Sequence, residues 1–269
     1  MPMETGFTSP GPLIVQIGGF AVRWYSLLIL AGIIAGTLLS QKLAPERKVA
    51  PEVLSDLVVW LVVGAIPMAR LYYVLFEWQR FAGEPWWKVF AIWEGGIAIH
   101  GAILGGLLAG WLFCRRNGYS LLTMIDLAAP GLILGQAIGR WGNFFNSEAY
   151  GAPTNLPWKL FIPEANRPPG MAAFAYYHPT FLYESLWNLG VLALLLFVFF
   201  RFKNLRPGSI ACLYALAYSV GRFWIEGLRL DSLMVGPLRT AQLVSLAGIV
   251  LGAVGLWWLN RRSARQEAP

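Results

Sequence analysis

Residues 121–151 read LLTMIDLAAPGLILGQAIGRWGNFFNSEAYG. The run from Leu121 to Gly139 is mostly apolar, with Asp126 as its one charge, and about 20 such residues are what a membrane-spanning helix needs. The character then changes. Arg140, Asn143, Asn146, Glu148 and three glycines crowd into the thirteen residues from Gly139 to Gly151. Arg140, Asn143 and Ser147 fall at i, i+3 and i+7, which a helix places on one face, with Trp141, Phe144 and Phe145 turned largely elsewhere. Gly151 and Pro153 are expected to end that helix. A planar guanidinium beside amides at a helix end suits a phosphate or a carboxylate. An arginine snorkelling at a membrane boundary among turn residues would leave a similar pattern.

The rest of the chain has the composition this stretch leads one to expect. Of 269 residues, 57% are hydrophobic and 13% charged, which excludes an ordinary soluble domain and points to an all-α polytopic membrane protein. Thirteen Trp and ten Tyr suit interfacial aromatic belts. The net charge of +7 is not a nucleic-acid footprint, because the basic residues sit mostly in short loops between apolar spans. Cys114 and Cys212 each lie near a span end and lack metal-ligand spacing, so both are read as packing residues. The first twenty residues contain no Lys or Arg and do not read as a cleaved signal peptide.

Seven spans are expected: Phe20–Gln41, Val53–Phe76, Ile92–Phe113, Leu121–Gly139, Phe181–Phe202, Pro207–Ile225 and Thr240–Asn260. Lys42, Arg47 and Lys48, then Arg115 and Arg116, then Arg201, Lys203 and Arg206, then Arg261, Arg262 and Arg265 mark alternate loops as cytoplasmic. The N-terminus is then outside and the C-terminus inside. Residues 1–269 form a single transmembrane domain in this reading, and the proline-rich segment 143–179 forms an irregular extracytoplasmic cap between spans four and five. Paired small residues, Gly32/Gly36, Gly101/Gly105, Gly106/Gly110, Gly131/Gly135 and Gly248/Gly252, are read as helix-packing seams.

Ionisable residues inside or near the ends of spans need a reason, since an arginine at the bilayer centre costs about 2.5–3.5 kcal/mol on insertion scales. They are Arg23, Arg70, His100, Asp126, Arg140, Glu184, Arg222, Glu226 and Arg229. Either they neutralise one another or they face a hydrated cavity. With span three entering at Ile92, a rise of about 1.5 Å per residue puts His100 roughly 12 Å below the outer surface. Tyr218, Arg222, Glu226 and Arg229 follow one helical stripe. Glu226 is expected to orient Arg222 while leaving its fork free for an anion. A neutral His100 is a usable general base, or else a packed histidine. His178 is expected to orient the cap or a headgroup, and Tyr25 to be an interfacial aromatic with a hydroxyl available for contact. There is no P-loop, HExxH, GxSxG or Cys/His cluster, so neither a metal nor a cofactor is expected.

GRWGNFFNSEAYG resembles the signature of the bacterial prolipoprotein diacylglyceryl transferases. HGAILGG from His100, HPTFLYE from His178 and YSVGRFWIEGLR from Tyr218 resemble three further motifs of that family, in family order. Ala102 stands where the family has a second glycine after the histidine. The resemblance implies a transferase of the bacterial plasma (inner) membrane. It would move the diacylglyceryl group of phosphatidylglycerol to the lipobox cysteine of a preprolipoprotein signal peptide, forming a thioether and releasing glycerol 1-phosphate. On this reading Arg140 takes the headgroup, Arg222 the charge on the leaving phosphate, and His100 helps deprotonate the thiol. Asn143, Asn146, Glu148 and Gly151 shape the headgroup pocket and Glu226 aligns Arg222. Tyr25, His178, Tyr218 and Arg229 complete the expected substrate-binding set. The rival from another class is a transporter or flippase for an anionic lipid, in which the same arginines bind cargo without breaking a bond.

Overall fold

The computed structural model describes residues 6–18 and 20–264. Helices dominate: α1 (Trp24–Leu43), α2 (Glu52–Phe76), α3 (Ile99–Asn117), α4 (Leu121–Asn146), α5 (Thr180–Arg201), α6 (Ser209–Leu228) and α7 (Thr240–Ala264). Five of them, α1, α2, α4, α5 and α7, are long and apolar enough to cross a membrane. Large apolar side chains stay exposed along their flanks, as at Val63 and Leu251, which suits contact with lipid tails and not with water. The chain divides into two compact units. One joins the residues up to Leu39 to those from Asp126 onward; the other is Ser40–Ile125.

In the first unit, α1 and α4 meet through glycines. A Cβ on Gly32 would lie 3.0 Å from the Gly135 carbonyl oxygen, and one on Gly36 would lie 2.5 Å from that of Gly131. Backbones approach this closely only without side chains between them. Gly248 and Gly252 do the same for α7 against Ser219, Cys212 and Leu216 of α6. Helices α4 and α5 run antiparallel, since the Ser185 hydroxyl donates to the Ala137 carbonyl while Trp141 packs edge-on to Phe181. Helices α4 and α6 run parallel, with Asp126 beside the start of α6 and Gln136 bonded to Tyr214. Asp126 accepts the backbone N–H groups of Gly208 and Ala211, both at 2.8 Å. That buried carboxylate thus caps the positive end of α6, which explains one intramembrane charge as structural.

Short strands decorate this unit. β1 (Phe7–Thr8) pairs parallel to β4 (Leu160–Phe161), which pairs antiparallel to β5 (Tyr176–Tyr177); β2 (Leu13–Ile17) pairs with β3 (Phe20–Arg23), and β6 (Met234–Val235) with β7 (Leu238–Arg239). Segment 143–179 is therefore not wholly irregular. It starts on α4, contains β4 and β5, and closes over Phe144, Tyr150, Leu160, Ile162, Tyr177 and Phe181. Phe20–Arg23, expected in the first span, are a hairpin strand instead, and Arg23 sits there opposite Leu13.

The second unit packs α2 against α3, with Gly105 against Gly64 and Gly101 against Met68 and Ala69. Gly106 has no neighbour within 4 Å, so the Gly106/Gly110 pair is not a seam. α3 begins seven residues later than expected. Gly95 and Gly96 have φ of 84° and 74°, which breaks the helix. Arg70 holds both carbonyls with Nη1 (2.6 and 2.8 Å) and bonds those of Val89 and Lys88 through Nε and Nη2. This second intramembrane charge is thus spent on loop backbone. His100 lies in the first turn of α3, not eight residues inside it, so the depth of 12 Å does not stand.

Candidate active site

Three helices of the first unit and the loop after α6 converge on Glu184. This carboxylate lies one turn into α5 and is 5% exposed. Its Oε2 meets Arg140 Nε and its Oε1 meets Arg222 Nη1, with Arg229 Nη1 3.9 Å away. Arg222 also binds Glu226 through Nη2 at 2.5 Å, the i,i+4 geometry of one helical turn. Ser232 donates to the other oxygen of Glu226 at 2.6 Å, and Arg239 Nη1 donates to the Glu226 backbone carbonyl. Arg229, just past the end of α6, forks onto Asp231 at 3.0 and 2.8 Å. Three guanidiniums thus face three carboxylates. Burial alone would raise the Asp231 carboxyl, but the hydrogen bond and charge of Arg229 outweigh it and hold it below its usual range. Burial likewise works against the charge of Arg229, yet Asp231, with Glu184 and Glu226 behind it, keeps that guanidinium above its ordinary value.

The expectation that Glu226 leaves the Arg222 fork free is corrected here: both Nη groups of Arg222 are engaged by carboxylates. Arginines gathered away from water need counter-charges nearby. Arg140 differs. Its Nε meets Glu184, its Nη1 donates to Asn143 Oδ1 at 3.5 Å, and it is the most exposed of the three, at 24%. Of the three, Arg140 is the one whose carboxylate contact, among the described residues, is to Glu184 alone. Around it, Asn143 and Asn146 donate to one oxygen of Glu148 at 3.0 and 3.1 Å. The Tyr25 ring lies against Gly142, where a Cβ would meet Cδ2 at 2.3 Å.

The end of α4 also differs from expectation. The helix stops at Asn146, and Ser147 and Ala149 have φ of 51° and 56°. Ser147 therefore leaves the face it was expected to share with Arg140 and Asn143. Gly151 does not stop the helix. It bridges Arg229, donates to the His178 carbonyl at 2.9 Å, and a Cβ there would lie 2.8 Å from the His178 Cβ and 3.0 Å from the Leu228 carbonyl. The chain after the signature is thus clamped against the end of α6. His178 Nδ1 pairs with the Tyr183 hydroxyl at 3.1 Å, which also accepts from Trp158, and burial lowers the imidazole pKa.

Tyr218 stacks on Tyr214, with centroids 5.6 Å apart, one turn along α6 from Arg222. His100 belongs to the second unit, is exposed, and stacks on Tyr72 at 5.8 Å. Sequence reasoning left out of the site Glu184, Asp231, Ser232 and Arg239. Only Glu184 had a signal, a carboxylate one turn into an apolar helix.

An apolar, mostly helical chain with five helices long enough to cross a membrane and three arginines gathered on a buried glutamate has the make-up of a membrane protein. The comparisons with known proteins are more specific. Residues 12–258 match the family model described as prolipoprotein diacylglyceryl transferase, and the chain belongs to that family. It is 60% identical over 253 residues to a phosphatidylglycerol–prolipoprotein diacylglyceryl transferase of Acaryochloris marina, covering 94% of this chain and 92% of that one. It is 58% identical over 257 residues to the protein of the same name from Synechocystis sp., covering 94% and 90%. It is 58% identical over 266 residues to that of Trichormus variabilis, covering 97% and 94%.

Proposed function

We propose that this protein is an enzyme that transfers the diacylglyceryl group of phosphatidylglycerol to the lipobox cysteine thiol of preprolipoproteins. The carrying observation is the Arg140–Glu184–Arg222 cluster in a chain of this family. The thiol gives up its proton, because the thiolate is the nucleophile. Its sulfur attacks the glycerol carbon that bears the phosphate. The C–S bond forms as the C–O bond breaks, and the electron pair leaves on glycerol 1-phosphate.

Arg140, the most exposed arginine of the cluster and set beside the Asn143–Asn146–Glu148 group, takes the headgroup phosphate. Arg222 faces the charge that grows on the leaving oxygen, and a phosphate there competes with Glu184 and Glu226 for its fork. Preorganised guanidiniums in a water-poor site are worth more than they would be in water. Glu184 and Glu226 align the arginines, while Arg229 and Tyr218 line the flank. Tyr25, Gly151 and His178 set the shape of the pocket mouth. His100, an exposed imidazole, is assigned the thiol proton on chemical grounds. Seven spans, a periplasmic site, an outside N-terminus and residence in the bacterial inner membrane follow from the loop charges.

Purified protein, phosphatidylglycerol and a lipobox peptide in detergent test this directly. A diacylglyceryl mass gain on the peptide cysteine with released glycerol phosphate is expected, and a flippase yields neither. Arg140→Lys should abolish transfer, since an ammonium cannot reproduce the fork. Near-normal activity in that variant would remove Arg140 from the headgroup role.

A further inference from the structure

Beyond the charged cluster lies a second polar layer, contributed by the same three helices. Gln136 precedes Arg140 by one turn on α4, Asn188 follows Glu184 by one turn on α5, and Tyr218 precedes Arg222 by one turn on α6. Because α5 runs against the other two, all three residues are displaced from the arginines in the same direction, by about 6 Å at a rise of 1.5 Å per residue. Gln136 is satisfied by the Tyr214 hydroxyl at 3.0 Å. Asn188 is not: it is 2% exposed and its Nδ2 has no hydrogen-bond partner. A buried amide donor left unpaired is costly, so such a group needs an explanation. Glu226 Oε2, also without a hydrogen bond, has one already in its ion pair with Arg222.

A phosphatidyl lipid anchored by its phosphate at Arg140 runs its glycerol backbone and acyl chains away from the headgroup. Between phosphate and hydrocarbon its only polar groups are the two ester carbonyls, which accept hydrogen bonds and donate none. We infer that Asn188 is a substrate-binding residue that donates its Nδ2–H to an acyl-ester carbonyl of that lipid, and so positions the diacylglyceryl group for attack. This rests on the transferase reading and adds to it a selectivity for ester-linked over ether-linked lipid. An ether offers no carbonyl and leaves the amide unpaired.

The test compares the full-length protein with Asn188→Leu in the peptide-transfer assay, using diacyl phosphatidylglycerol and its dialkyl-ether analogue. The parent protein is expected to favour the diacyl lipid by about tenfold in kcat/KM, the scale of one unsatisfied buried donor. Asn188→Leu should lose most of that preference, chiefly through a raised KM for the diacyl lipid, with an unchanged or higher melting temperature. A variant that keeps the preference, or a parent protein that shows none, overturns the inference and leaves the transferase reading intact. A lower melting temperature for Asn188→Leu also overturns it, because the amide would then serve the fold. If the parent protein transfers from neither lipid, the transferase reading fails and takes this inference with it.

Discussion

Replacing Glu184 with glutamine tests whether one carboxylate organises the site. Glu184→Gln preserves size and an acceptor oxygen but removes the charge that Arg140 and Arg222 share. Three guanidiniums would then face two carboxylates, leaving a local excess of one positive charge. Removing one partner of a buried pair costs about 3–5 kcal/mol. The Glu184 side chain is 6% exposed, but its arginine partners are 24%, 17% and 13% exposed. Water screens part of the excess, which places the loss near the lower bound, about 3 kcal/mol. Unfolding of the detergent-solubilised variant measures that loss. Arg140→Gln in the same molecule restores the balance, so the double variant should recover about 1–2 kcal/mol relative to the sum of the singles. Activity should fall further than stability suggests, by about a hundredfold in kcat/KM, because both arginines lose their alignment. A Glu184→Gln protein of normal stability and turnover would refute the idea that this carboxylate holds the arginines.

Three other outcomes follow from single contacts. Gly151→Ala drives a Cβ to 2.8 Å from the His178 Cβ and 3.0 Å from the Leu228 carbonyl, so a loss of about 1–3 kcal/mol is expected, read by thermal unfolding together with reduced transfer. Burial lowers the His178 pKa, so the unfolded chain binds this proton more readily than the folded one. The stability linked to this residue is complete above the usual histidine value of about 6.5 and declines as pH falls from there through the lower folded value. His178→Gln should flatten that part of a melting-temperature profile. Asp126→Ala leaves the N–H groups of Gly208 and Ala211 without their side-chain acceptor. It should cost about 1–3 kcal/mol and expose the amides near Gly208 to hydrogen exchange, with little change in KM.

The sequence showed where charge was out of place, but not what answered it. Asp126 and Arg70 both stood out as ions in apolar runs, yet both bond backbone groups: amides 82 and 85 residues away for Asp126 and carbonyls 18 to 26 residues away for Arg70. No pattern of side-chain types reveals such a match. The start of α3 was misplaced for the same reason. Ile92 onward is apolar enough to continue a helix, and two glycines at positive φ, held by Arg70, decide otherwise. The glycine seams other than Gly106/Gly110 were legible because closeness of backbones depends on the absence of side chains, although which seams meet, Gly32 with Gly135 and Gly36 with Gly131, was not. Arg140, Arg222, Glu226 and Arg229 stood out as charges beside apolar sequence, and the structure brings them together around Glu184.

On the proposed reading, Glu184 is what turns an ion-pair ladder along α6 into an anion site. A ladder along α6 alone would satisfy Arg222 with Glu226 and leave Arg140 unaccounted for on another helix. By reaching both, Glu184 fixes Arg140 through Nε, with Nη1 turned to Asn143. The balance of three against three makes the cluster tolerable where charge is poorly solvated, and on the proposed reading the most exposed arginine is the one that takes the phosphate. When the lipid phosphate arrives, the site acquires an extra negative charge. That charge is best offset where the carboxylates are already committed elsewhere, as Asp231 is to Arg229 and Glu226 is to Arg222 and Ser232. On that reading, the commitments of Asp231 and Glu226 leave Glu184 as the carboxylate with which an incoming phosphate competes for Arg140.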